Sequence, residues 1–225
     1  MTPILRSPGK PWLLIVLALL CLQPIQASAQ AASNLTLNAQ LLVGAREGDM
    51  ALVERVLSQG AVPDSRNRLG KTPLLIAAEK GNLKLVDRLL AARADIELAS
   101  LEKVTPLMAA SYNGHAAIVE RLLAAGARTD PVDRMNKTAA VYAAGQGHPG
   151  VLDALLKAGV DVNAAYDHRL TMLMWAAGQG HADAVRLLLA RGADADARDD
   201  RGLSAFEIAR QAGQSATVQA LASPR

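Results

Sequence analysis

The chain has 225 residues, of which 51% are hydrophobic but only 3% aromatic; this length supports one domain with a sizeable core. An apolar content made mostly of Ala, Leu and Val favours closely packed helices over sheets, which draw on β-branched and aromatic residues. The formal net charge is +3, but Arg6 and Lys10 belong to the leader; without them 22 of the 24 bases stand against 21 acids, so the sequence pI of 9.2 overstates the basicity of the rest, and no basic stripe points to nucleic acid.

The first element in chain order reads as a targeting segment. Arg6 and Lys10 form a positive n-region, Trp12 to Leu22 is an unbroken apolar run of 11 residues, and Ala27-Ser28-Ala29 has the small-x-small pattern of a cleavage site. Gln23 and Pro24 end the run well short of the roughly 20 apolar residues of a membrane span. The expectation is a signal peptide over 1–29, cut after Ala29, that leaves no stable membrane anchor. Cys21 is a poor lipidation site because Leu20, not a small residue, precedes it. The mature chain then has no cysteine, and packing alone must hold it together in an oxidising compartment. Residues 30–37 read as a short polar lead-in.

From residue 38 onward one unit repeats. Residues 71–82 read KTPLLIAAEKGN, 104–115 VTPLMAASYNGH, 137–148 KTAAVYAAGQGH and 170–181 LTMLMWAAGQGH, each 33 residues after the last. One further step reaches LSAFEIARQAGQ at 203–214, and one step back reaches NAQLLVGAREGD at 38–49. Thr72, Thr105, Thr138 and Thr171 suit helix N-caps, and Pro73 and Pro106 suit the first helical position. A glycine follows each short first helix, from Gly48 to Gly213, where a left-handed residue reverses the chain. A second helix with apolar residues at helical spacing follows, as in Leu85, Val86, Leu89 and Leu90. A second glycine column, Gly60, Gly126, Gly159 and Gly192, is broken by Arg93.

The Thr-Pro-Leu opening, the Ala-Ala pair, the Gly-His turn and the closing Leu-Leu-x-x-Gly-Ala-Asp resemble the ankyrin repeat. The resemblance implies an all-α solenoid of stacked helix-turn-helix units joined by β-hairpin-like loops, with units near 38–70, 71–103, 104–136, 137–169 and 170–202 and a C-terminal cap at 203–225. No single helix pair buries its apolar face, but stacked neighbours do. Asn38, Gln40 and Arg46 in the first unit and Glu207, Arg210 and Gln214 in the last supply polar outer faces.

Chemistry is sparse. His115, His148 and His181 recur at the repeat period, so they stand about 10 Å apart, the distance between packed helices, too far to share one ion. Asp194, Asp196, Asp199 and Asp200 lack the alternation of a calcium loop and suit turns instead. No nucleophile elbow, phosphate loop or paired His-Glu occurs. The expectation is a protein that is no enzyme, with no cofactor and no metal. Asn34 and Asn136 head Asn-x-Thr triplets that matter only in a eukaryotic secretory pathway.

The resemblance further implies that a protein partner binds on the concave face, built from hairpin tips and the exposed side of each first helix. Carried over column by column, the candidates at and beside the tips are Leu69, Lys71, Leu101, Val104, Arg134, Met135, Lys137, His168 and Leu170. Those on the first helices are Tyr112, Asn113, Tyr142, Gln146, Trp175 and Gln179. Leu69, Leu101, Val104, Met135 and Leu170 are apolar where solvent is expected, and aromatics anchor interface centres. Tyr142 and Trp175 share a column with Ile76, Ala109 and Ile208, which leaves them between core and interface. The composition and leader look bacterial and point to the periplasm, or alternatively to secretion outside the cell. The reading is a monomeric exported protein-binding module; its alternative is an immunity or inhibitor protein that blocks an exported toxin or hydrolase.

Overall fold

The computed structural model describes residues 36–222; the expected signal peptide and the Ala29 cleavage site lie outside them. Helix α1 occupies 36–47, so it is already running before the unit boundary expected near 38. It is followed by α2 (Met50–Ser58), α3 (Pro73–Lys80), α4 (Leu83–Ala91), α5 (Pro106–Tyr112) and α6 (Ala116–Ala124). The second half holds α7 (Ala139–Gln146), α8 (Pro149–Lys157), α9 (Met172–Gln179), α10 (Ala182–Ala190), α11 (Ala205–Gln211) and α12 (Ser215–Ala222). Among the described residues there is no strand, and no helix is long and apolar enough to cross a membrane.

The helices stack in two layers. First helices pack in series, α3 on α5, α5 on α7, α7 on α9 and α9 on α11, and the second helices α4, α6, α8, α10 and α12 do the same behind them. The caps explain where each unit starts. The hydroxyls of Thr72, Thr105, Thr138 and Thr171 accept from the backbone N–H three residues on, at 3.2–3.3 Å. First helices are apolar nearly all round and buried from Pro73 to Ala78 in α3, as a helix between two layers must be. Second helices are amphipathic: α4 buries Leu85, Val86 and Leu89 and turns Lys84 outward. The result is one apolar spine from Leu41 to Ala220.

The recurring histidines join one unit to the next. His115 Nε2 donates to the Glu79 carbonyl (3.2 Å), His148 Nε2 to that of Tyr112 (3.0 Å) and His181 Nε2 to that of Gly145 (3.0 Å). These carbonyls lie in the last turn of a first helix, where no intrahelical donor remains. The acceptor fixes the ring: a carbonyl only accepts, so Nε2 carries the proton.

Each unit ends in a hairpin-like loop. Backbone bonds close Asn67 on Lys71, Ser100 on Val104, Asp133 on Lys137, Tyr166 on Leu170 and Asp199 on Leu203. Neighbouring loops are bonded too: Leu101 N donates to Leu69 O, Arg134 N to Glu102 O and Asp200 N to His168 O. Among the described residues this series has no member between Asp167 and Met135. The reason is local. Asn67, Asp133 and Asp199 each brace their turn with Oδ1 bonds to two backbone N–H groups, but Tyr166 stands at that place in the fourth hairpin. The turn there becomes a short 3-10 segment, Asp167–Arg169, with both His168 and Arg169 left-handed.

Candidate protein-binding face

Hairpin residues and first helices line common crevices, so they form one face. One of these, about 290 Å3, lies along the second hairpin and is lined by Ser100, Glu102 and Val104 of the hairpin and by Leu75, Glu79 and Tyr112 of the first helices. A further crevice joins Leu170 to Trp175, Gln179 and Ile208.

The expected residues divide on this face. Leu69, Leu101, Met135 and Tyr112 are exposed, at 61%, 54%, 65% and 47%, which is unusual for large apolar side chains. Leu101 lies over Gly70, where an added Cβ would sit 3.1 Å from Leu101 Cγ; the tips therefore touch across hairpins yet stay open to solvent. Asn113, Arg134, Gln146, His168 and Gln179 are exposed as well. Val104 and Leu170 correct the expectation: both are half-buried and pack against the spine, because the residue before each Thr cap turns inward as the hairpin meets the helix.

Tyr142 and Trp175 are half-buried and packed on the core with one side reaching the face. Tyr142 meets Tyr112 edge to face, with ring centroids 5.5 Å apart. Its hydroxyl donates a short bond to Asp133 Oδ2. Burial and that bond raise the Tyr142 phenol above its ordinary range. Asp133 was not among the expected site residues; its place in the Asn67, Ser100, Asp133, Asp199 column was the signal available for it.

The cations are used differently from one unit to the next. Lys71 Nζ is 2.7 Å from Glu79 Oε2. Lys137, in the same column, has no carboxylate partner among the described residues; its Nζ lies over the rings of Tyr142 (5.7 Å) and Trp175 (5.2 Å). Arg134 stands 3.7 Å from Glu102 and is exposed. His168 lies between Asp167 (3.9 Å) and Asp200 (3.7 Å). Among the described residues no group of His, Cys, Asp or Glu is arranged to hold a metal ion. Asp194 and Asp199 instead accept backbone N–H bonds in their turns.

Stacked helix pairs, hairpins bonded to their neighbours at three junctions and one open face define a repeat solenoid. Residues 41–133 and 81–166 match the family model for ankyrin repeats in three copies, and residues 155–209 match that for ankyrin repeats in many copies. The chain belongs to the ankyrin-repeat family. No curated protein matches it. Ankyrin repeats in general are non-catalytic modules that bind other proteins, and no enzyme family is indicated.

Proposed function

We propose that this protein is an exported binding module that docks a protein partner across its hairpin tips and first helices. The observation that carries the reading is the run of exposed apolar tips on successive hairpins, Leu69, Leu101 and Met135, beside the exposed Tyr112. Large apolar groups on a soluble surface are retained where something covers them, and an aromatic beside them is a common anchor. Export rests on the leader: a basic n-region, a short apolar core and the small residues before Gln30. The compartment that fits is the periplasm.

Two measurements test this. The mature protein recovered from the periplasmic fraction should begin at Gln30; full-length protein in the cytoplasm refutes export. Replacing Leu101, Met135 and Tyr112 together with serine should abolish co-purification of the partner and leave the melting temperature nearly unchanged. Leu101 and Met135 are more than half exposed and Tyr112 nearly half, so their removal forfeits only part of the energy of a buried side chain. An unfolded triple variant means that they are structural; a folded one that still captures the partner means that the interface lies elsewhere.

A further inference from the structure

The repeats permit one unit to be read against another, and one column pair differs in a telling way. Lys71 and Glu79 stand eight residues apart and form a half-buried ion pair at 2.7 Å. The same two places in the unit two steps on hold Lys137 and Gly145. The lysine is kept, but its acid is gone. The site is not closed over by another group: a Cβ built on Gly145 would meet only Trp175 Cε3, at 3.9 Å. Next to that opening, on the hairpin side of Lys137 and Trp175, a separate crevice of about 130 Å3 is lined by Met135, Lys137, Tyr166, Leu170 and Trp175. The acid on its wall, Asp167, is engaged by the His168 backbone N–H at 3.2 Å.

Gly145 is not needed there for backbone reasons. It lies within α7 at ordinary helical angles, where glycine is less favourable than alanine by roughly 1 kcal/mol. Its carbonyl takes the His181 bond, which any residue could supply. Lys137 meanwhile is held over two aromatic rings, which fixes its ammonium without neutralising it.

We propose that the space above Gly145 beside Lys137 is a carboxylate-receiving slot, in which an acidic side chain of a protein partner takes the place that Glu79 takes against Lys71. The proposal rests on the hairpin and first-helix face being the docking face, and it adds the chemistry of the residue that enters it. The flanking groups suit that residue: the Tyr142 and Trp175 rings hold the Lys137 ammonium in place at 5.7 and 5.2 Å, and the exposed Met135 offers an apolar contact to neighbouring groups of the same segment.

The test uses the full chain and a fluorescein-labelled glutamate-rich peptide, with glutamine-rich and lysine-rich versions as comparators, read by anisotropy. The glutamate peptide should bind at least about fivefold more tightly than the glutamine version, as a charge-assisted contact requires. Lys137→Met should remove that preference. Gly145→Glu should remove it too, by supplying the missing acid internally, with helical circular dichroism and melting temperature at or above wild type. Lys157→Met, on the second-helix layer, should leave binding unchanged. Lys137→Glu should transfer the preference to the lysine peptide, a gain that a misfolded variant cannot show. Equal binding of the glutamate and glutamine peptides overturns the slot, as does full binding by Lys137→Met or Gly145→Glu, or no binding of any peptide by the wild type. If the slot fails while the Leu101, Met135 and Tyr112 triple variant still loses the natural partner, the face stands and only the acidic occupant is wrong. If both fail, the face itself is not the interface.

Discussion

At the scale of single residues, the positions that depart from their column are the informative ones. Gly60, Gly126, Gly159 and Gly192 are left-handed, with φ between 86° and 95°, and Arg93 occupies the same turn at φ 61°. A side chain in this region is strained by about 1 kcal/mol. Arg93 is exposed and makes no ion pair among the described residues, so nothing offsets the strain. Arg93→Gly should raise stability by up to about 1 kcal/mol, the gain being trimmed by the freer unfolded chain. An unchanged or lower denaturation midpoint would contradict this.

At the scale of elements, two devices hold the units in register. The first is the histidine over the turn glycine. Gly147 is left-handed at φ 71°, and a Cβ there would stand 2.3 Å from His181 Cγ. Gly147→Ala therefore combines backbone strain with displacement of the ring that bonds the Gly145 carbonyl. It should cost clearly more than the roughly 1 kcal/mol of strain alone, measured by urea denaturation; a cost near zero would show that the ring is not a strut. The second device is the carboxylate inside a hairpin. Asp199 has a side chain only 2% exposed. Burial opposes its ionisation, but the backbone N–H groups of Leu203 and Arg201 and the Arg201 guanidinium outweigh burial and hold its carboxyl below the usual range. A depressed folded pKa contributes stability above the ordinary value of about 4, and that contribution is lost as pH falls through the depressed one. Asp199→Asn should flatten the acid limb of a melting-temperature profile; an unaltered limb would assign acid sensitivity to other groups.

At the scale of the whole molecule, stability is a sum of units and the interfaces between them. α11 packs on α9 and α12 on α10, with the fully buried Thr217 Oγ1 donating to Gln214 O at 2.8 Å and standing 3.4 Å from Ala177 O. Cutting the chain before Leu203 uncovers apolar faces of α9 and α10 while leaving the earlier interfaces intact. The truncated protein should stay helical but unfold at lower urea and with a smaller m value, since less surface is exposed on unfolding. Complete loss of helical signal would mean that cooperativity spans the array more strongly than nearest-neighbour coupling allows.

The period of 33 residues, the Thr caps and the glycine columns were enough to specify the stacked helical solenoid, because these signals are local and repeat without interruption. Exposure of Leu69, Leu101 and Met135 was legible for the same reason: tip positions follow from register alone. The inward turn of Val104 and Leu170, and the half-burial of Tyr142 and Trp175, were not. Residues in one column share a backbone position, but how deeply each is covered depends on the side chains of the units on either side. Lys71 and Lys137, each directly before its Thr cap, divide the same way between what is local and what is not. Glu79 belongs to the same unit as Lys71, and the glycine that replaces it beside Lys137 is visible in the sequence; only the folded stack sets the Lys137 ammonium over the Trp175 ring, because that ring comes from the next unit.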